Sequence, residues 1–205
     1  MYKLVRLLEC MLSLILVYIL CIQSISAIPR ITKYAIENFI GYEQQKSNWC
    51  WVASAECSGK FFNPNTTKTQ RSVVHAIKRI SDTDNNDNFT GTVYDIESAA
   101  ILFTFFPNQP HDYKGFEKKF SFVALKAQMM KGVIPIVSSG TYNNNNVRVK
   151  GHATPICSTM NVGSTSKIIE YYDPSNGKKY SCTYEKFCDG SYNGRRYDRT
   201  VLVDM

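Results

Sequence analysis

Apolar residues recur at helical spacing through the first half of the chain and alternate with polar ones through much of the second. Asn48 to about Phe62 is a low-charge run, with Glu56 and Lys60 as its only charges. An almost uncharged helix is buried on most sides. Asn48 or Ser47 is placed to cap it, and Asn63-Pro64 to end it. A second helix is predicted over about 70–80, with Val73, Val74, Ile77 and Ile80 on one face and Arg71, Lys78 and Arg79 on the other. Ser81–Gly91 is acidic and Asn-rich and reads as a loop. Thr92-x-x-Asp95 opens a third helix through Phe106 as a capping box. Ser121–Lys131 reads as a fourth, stopped at Gly132. The pattern then changes. Val133–Ser138 and residues 152–159, 166–173, 179–184 and 199–204 read as strands, with turns at Asn143–Asn146, Gly163-Ser164 and Ser175-Asn176-Gly177. Helices followed by antiparallel strands predict an α+β domain.

The first residues follow another pattern. Lys3 and Arg6 precede an apolar run, Leu7–Ile22, and small residues follow at Ser24, Ser26 and Ala27. This is the order of a secretory signal peptide. The run of about 16 residues falls short of the roughly 20 that span a bilayer. Residues 1–27 are therefore expected to be a cleaved signal, and 28–205 a secreted domain, extracellular or periplasmic, without stable membrane association and monomeric. Of 205 residues, 20% are charged and 44% hydrophobic, which excludes collagen-like, coiled-coil and charged disordered classes. The formal charge is +7, and loss of Lys3, Arg6 and Glu9 with the signal leaves +6. Basic pairs at Lys118-Lys119, Lys178-Lys179 and Arg195-Arg196 are scattered, whereas a nucleic-acid footprint clusters. No partner of that kind is expected. No zinc-ligand spacing or phosphate loop occurs, so neither metal nor cofactor is expected.

Cleavage would remove Cys10 and Cys21 and leave Cys50, Cys57, Cys157, Cys182 and Cys188. In an oxidising compartment thiols pair unless chemistry needs one free. Two disulfides and one working thiol is the simplest arrangement. Cys182 and Cys188 bracket a short loop and form the first expected pair; Cys57 with Cys157 is the remainder by elimination. One disulfide and three buried thiols is the alternative.

Cys50 falls at the first turn of the buried helix, where free N–H groups and the helix dipole favour a thiolate. Those N–H groups can also hold an oxyanion, and a glutamine just upstream can add a side-chain donor. A thiol nucleophile needs a base and a group to orient it. Among His75, His111 and His152, the last is the best base candidate: it follows Gly151 and opens the apolar strand Ala153–Cys157. Asp173 ends a strand and is placed to accept the second imidazole N–H. Taken singly, Cys50 also fits a disulfide cysteine, His152 a polar strand end, and Asp173 a turn starter before Pro174.

Gln44-Gln45-x-Ser47-Asn48-Trp49-Cys50-Trp51, then Gly151-His152-Ala153, then Tyr172-Asp173-Pro174, resembles the small papain-like cysteine proteases of clan CA. The nearest branch is the bacterial avirulence-effector type, close to staphopain-like and bacteriocin-processing peptidases. The resemblance spans roughly residues 40–190. It implies two lobes, helical over about 28–131 and β-sheet over about 132–205, with a cleft between. It also implies that Cys50 attacks, His152 acts as base then acid, Asp173 orients it and Gln44 helps form the oxyanion hole, with Gln45 as the other choice. The chain departs from the plant and lysosomal enzymes, which carry asparagine where Asp173 stands and a Cys-Gly run where Ser47-Asn48-Trp49 stands. The expected activity is cysteine-peptidase hydrolysis of a protein or peptide. Two alternatives stand beside it. Ala55-Glu56-Cys57-Ser58-Gly59 faintly resembles the Cys-Ser-Gly motif of cell-wall peptidases, which would make Cys57 the nucleophile of an amidase with His152. The other alternative is a catalytically dead, disulfide-stapled effector or binding protein.

Overall fold

The computed structural model of the chain describes residues 31–105, 112–163 and 165–204. The expected signal at 1–27 and His111 lie outside the described residues. In order, the elements are β1 (Ile31–Ala35), α1 (Cys50–Phe62), α2 (Gln70–Lys78), α3 (Val93–Thr104), β2 (Asp112–Phe116), α4 (Phe122–Met130), β3 (Ile136–Tyr142), β4 (Arg148–Val162), β5 (Ser166–Asp173), β6 (Lys178–Thr183), α5 (Tyr184–Asp189) and β7 (Arg196–Asp204). The chain is α+β. Its strands form a seven-stranded antiparallel sheet in the order β2-β7-β3-β4-β5-β6, with β1 paired to β4.

The helices begin where side-chain oxygens can cap them. Thr92 accepts from the Asp95 N–H and Asp95 answers to the Thr92 N–H, so α3 starts on a closed capping box. Thr69 and Ser72 do the same for α2, and Ser121 accepts from the Ala124 N–H at α4. Helix α1 is different. Its N-cap is Trp49, which supplies no side-chain bond. Asn48, the expected cap, donates from Nδ2 to the Asn88 carbonyl and accepts nothing from α1, while Ser47 Oγ accepts from Asn88 Nδ2. A neighbouring loop outcompetes the helix for both side chains, so the start of α1 stays open.

Strand alternation divides the core between the two faces of the sheet. Ile136, Ala153, Val201 and Val203 pack with Trp51, Val52, Val73 and Phe103 of the first three helices. Val137, Ile156, Ile169 and Leu202 pack on the other face with Phe122, Leu125 and Phe187. Helix α1 lies against α3 at Gly59, where a Cβ would stand 2.4 Å from that of Phe103.

Strand β4 runs through the middle of this arrangement. Its first half pairs with β3, and residues 158–162 pair with β1 on one side and β5 on the other. Strands β1 and β2 both come from the N-terminal part of the chain, yet both join the sheet. Tyr113 of β2 is buried with the helical core, and the Gly115 N–H donates to Glu97 of α3 at 2.7 Å.

The cysteines correct one expectation. All five described thiols are free, so neither Cys182–Cys188 nor Cys57–Cys157 is joined in the structure. The segment between Cys182 and Cys188 is not a simple loop: β6 ends at Thr183 and α5 begins at once. Cys188 then hydrogen-bonds the Tyr184 side chain within α5. Cys57 Sγ accepts the Tyr42 N–H at 3.2 Å, and Cys157 packs with it against Tyr172. Here the thiols behave as small hydrophobes.

Candidate active site

Cys50, His152 and Asp173 meet in one place. Cys50 is the first residue of α1, His152 lies in β4 opposite Ser139 of β3, and Asp173 is the last residue of the neighbouring strand β5. His152 Nε2 lies 2.7 Å from Asp173 Oδ1. Cys50 and His152 line the same cleft, close enough for each to shift the other's titration. With Nε2 committed to the carboxylate, Nδ1 is the nitrogen left for the thiol. His152 and Asp173 are nearly buried, at 8% and 9% exposure, while Cys50 is partly open.

The thiol sits in a nest of donors. Burial pushes the Cys50 thiol up, but His152 and the N–H groups of Ala153 and Trp51 pull it down, and the net result is a lowered pKa. The open start of α1 makes this possible, because the leading N–H groups of a helix have no intrahelical acceptor. Burial likewise opposes the charge on His152. The Asp173 and Cys50 partners overcome it and raise the imidazole from 6.5 to about 9. Burial pushes Asp173 up, whereas His152 and Ser175 hold it well below the usual carboxylate range. These opposed directions favour a thiolate–imidazolium pair backed by an ionised carboxylate.

Asp173 does two jobs with one oxygen. Its Oδ1 also accepts the Ser175 N–H at 2.9 Å and the Ser175 hydroxyl at 2.6 Å, and its carbonyl accepts from Gly177. Gly177 has φ +69, which closes the turn. The turn and the histidine contact are therefore the same structure.

Gln44 lines the cleft with Cys50. Its Nε2 donates to the carbonyls of Lys46 and Ser47 at 3.0 and 2.9 Å, and its buried Oε1 has no partner. The amide is thus turned into its own loop rather than held free for an oxyanion. Gln45 is exposed, and its N–H donates to Gln70 Oε1 at 3.0 Å. Cys57 stands in mid-α1, 1% exposed, and burial pushes its thiol up to about 12. It does not line the cleft.

Two features are missing from the sequence reading. The first is a clasp formed by the 81–91 loop. Trp49 Nε1 donates to the Asp87 carbonyl at 2.9 Å and Trp51 Nε1 to the Phe89 carbonyl at 3.0 Å. The tryptophans flanking Cys50 thus hold the loop, and Gly91 lets it pass the Trp51 ring, where a Cβ would come within 2.4 Å. Asp87 is fully buried and pairs with Lys46, with His75 Nε2 at 3.0 Å and with Arg71 Nε at 3.5 Å. Lys46 foremost, then His75, hold its carboxyl at about 2 despite burial. An acidic Asn-rich stretch carries no periodic signal that could mark one buried aspartate. The second feature is Arg148. Its guanidinium covers Gly140 and Gly151, where added Cβ atoms would meet it at 2.4 and 2.8 Å. Gly151 thus admits an arginine beside the histidine.

No family model matches the sequence, and no curated protein does. Among solved structures, the Pseudomonas avirulence protein AvrPphB is similar over 83% of this chain and 100% of its own, at 13% identity and a TM-score of 0.35. So distant a likeness carries no inference about activity, and the chemistry rests on the site itself.

Proposed function

We propose that the chain is a cysteine peptidase that cleaves peptide bonds through an acyl-enzyme on Cys50. The observation that carries this reading is Cys50, at an uncapped helix start, beside the hydrogen-bonded His152–Asp173 pair in the wall of a cleft of about 690 Å³. The Cys50 thiolate attacks the scissile carbonyl carbon, and the carbonyl electron pair moves to oxygen. Leading N–H groups of α1 are the donors nearest to hand for that oxyanion. Gln44 can join them only by releasing a loop carbonyl. Collapse expels the amine, which takes the proton from His152. Neutral His152 then draws a proton from water as the water attacks the thioester, and the acid leaves with Cys50 restored. Asp173 holds the ring and stabilises its charged form.

Cys57 is a poor competitor, since its thiol is buried and raised and its helical neighbours' N–H groups are already bonded within α1. The reading includes export behind residues 1–27 and action outside the cytoplasm. It is tested with protein lacking residues 1–27, an unfolded fluorogenic protein substrate, and mass mapping of the fastest-alkylated thiol. Hydrolysis is expected, with abolition in Cys50→Ala and first labelling at Cys50. Hydrolysis surviving Cys50→Ala would end this reading; first labelling at Cys57 would favour the amidase. No hydrolysis with an unreactive Cys50 would favour a dead scaffold.

A further inference from the structure

The walls of the Cys50 cleft carry one sign of charge. Arg148, Lys150, Arg195 and Arg199 line it, and among the described residues no aspartate or glutamate does. Two of these cations are neutralised on the spot. Arg148 Nε lies 2.9 Å from Asp198 Oδ2, and Arg199 Nε lies 2.6 Å from Glu117 Oε2. Lys150 and Arg195 pair with no carboxylate among the described residues. Lys150 stands two residues before His152 on β4, in regular register with β3, so both side chains leave the same face of the strand. Arg195 enters from the turn before β7, where its N–H donates to Asn193 Oδ1 and Gly194 takes φ +74. Asp173, the carboxylate that touches the histidine, is bound to His152 and Ser175.

Unpaired cations in a concave wall concentrate anions and select them. Guanidinium and ammonium groups with no internal partner are free to bind a carboxylate. Building on the peptidase reading, we propose that Lys150 and Arg195 form an acid-recognition subsite, so that the cleft prefers substrates with a carboxylate close to the scissile bond. That carboxylate comes from an aspartate or glutamate side chain, or from the free C-terminus of the substrate chain.

The test has one arm that needs no hydrolysis. Cys50 is alkylated with iodoacetate and with iodoacetamide, and the ratio of the two rates is compared between the wild type and Lys150→Gln/Arg195→Gln. Neither residue anchors an ion pair among the described residues, so the double variant leaves the structural pairs of Arg148 and Arg199 in place. The ratio is expected to fall roughly three- to tenfold, the scale of two partly exposed charge pairs. Arg195→Lys, which keeps the charge, is expected to retain most of its share. The second arm uses peptides matched except for Glu or Gln beside the scissile bond, each with a free or amidated C-terminus. A Glu-over-Gln preference in kcat/KM among amidated peptides assigns the subsite to side chains. A preference only for free C-termini assigns it to chain ends. In either case the preference is expected to shrink in the double variant and in salt near 0.5 M, where the screening length is only about 4 Å. Equal kcat/KM for all four peptides, or an alkylation ratio untouched by the double variant, would overturn the inference and leave the peptidase reading standing. If no peptide is cleaved, the peptidase reading fails while the alkylation ratio still reports on the subsite.

Discussion

The Gln44 N–H donates to the Pro174 carbonyl at 2.9 Å. This bond ties the loop that delivers the nucleophile to the turn that holds the orienting carboxylate. Two segments 130 positions apart in the chain are therefore joined beside His152.

Asp173→Asn removes the negative charge behind the imidazole and leaves a neutral amide oxygen to accept the ring N–H. The expected result is a fall in kcat of about 10²–10⁴, the range spanned by positioned acid–base groups, with little change in KM. Ser175→Ala, which removes only a hydroxyl bonded to the same oxygen, is expected to cost less than tenfold. Steady-state kinetics with one fluorogenic substrate decides the matter. Unchanged kcat in both Asp173→Asn and Asp173→Ala would remove the residue from the site.

The pH dependence follows from the shifts. Activity needs His152 protonated and Cys50 ionised, and the imidazole is raised to about 9 while the thiol is lowered. The profile of kcat/KM is therefore expected to be bell-shaped, with its alkaline limb near pH 9 and its acid limb below the ordinary thiol range. Asp173→Asn is expected to draw the alkaline limb downward. For stability, the contribution of His152 is fully present below 6.5 and is lost as pH rises through about 9. The contribution of Asp173 is present above 3.8 and is lost as pH falls below it. Denaturant midpoints across pH, with and without Cys50→Ala, measure both. The lowered Cys50 thiol contributes with the opposite sign over the same range, so the decisive protein is Cys50→Ala, in which a midpoint flat between pH 6 and 10 would contradict the pull of Asp173 on His152.

Asp87 is expected to matter more than its loop position suggests. Asp87→Asn leaves Lys46 beside a neutral side chain and weakens the contacts with His75 and Arg71. It is expected to lower Tm and to reduce kcat through the Trp49–Cys50–Trp51 segment. Asp82→Asn, in the same loop but with a 95% exposed side chain, is expected to do neither. Equal effects of the two substitutions would refute the buried clasp.

Gly59→Ala tests the α1–α3 packing. Its Cβ would meet the Cβ of Phe103 at 2.4 Å and the Ala100 carbonyl at 3.1 Å. Neither backbone nor Cβ can swing aside, so the helices must part at a cost of about 1–3 kcal/mol. Urea denaturation measures it. A gain in stability, as helix propensity alone would give, would mean that the helices do not approach this closely.

Native alkylation of protein lacking residues 1–27, without reductant, is expected to add one group quickly, at Cys50. Denaturation without reductant is then expected to expose the other four thiols. Mass spectrometry counts them. Finding only two further sites would show that one disulfide forms after all.

Much of the fold was legible. Thr92 and Asp95 announced their capping box, and Val73, Val74 and Ile77 their helix, because these signals depend on neighbours three or four positions away. Strand β5 appeared at its expected bounds for a similar reason. Strand β2, Asp112–Phe116, was not seen: it is five residues long and holds a glycine, and only pairing with β7 makes it a strand. Helix α5 went unseen inside a segment read as a disulfide loop, although Thr183 caps it through the Lys186 N–H.

By itself the sequence determined which groups are available: a cysteine at a helix start, a histidine after a glycine, an aspartate before a proline, and the alternation of helix and strand periods. These are properties of residue type and short spacing. Tertiary structure alone decided which groups touch. Pairing of β4 with β5 brought His152 to Asp173, and packing of α1 on β4 brought Cys50 to His152. It also left the α1 start uncapped, buried Asp87 under the tryptophans, turned Gln44 into its own loop and kept four further thiols unpaired. Each of those outcomes is a competition between partners distant in the chain, which depends on distance and burial and is not written in local spacing.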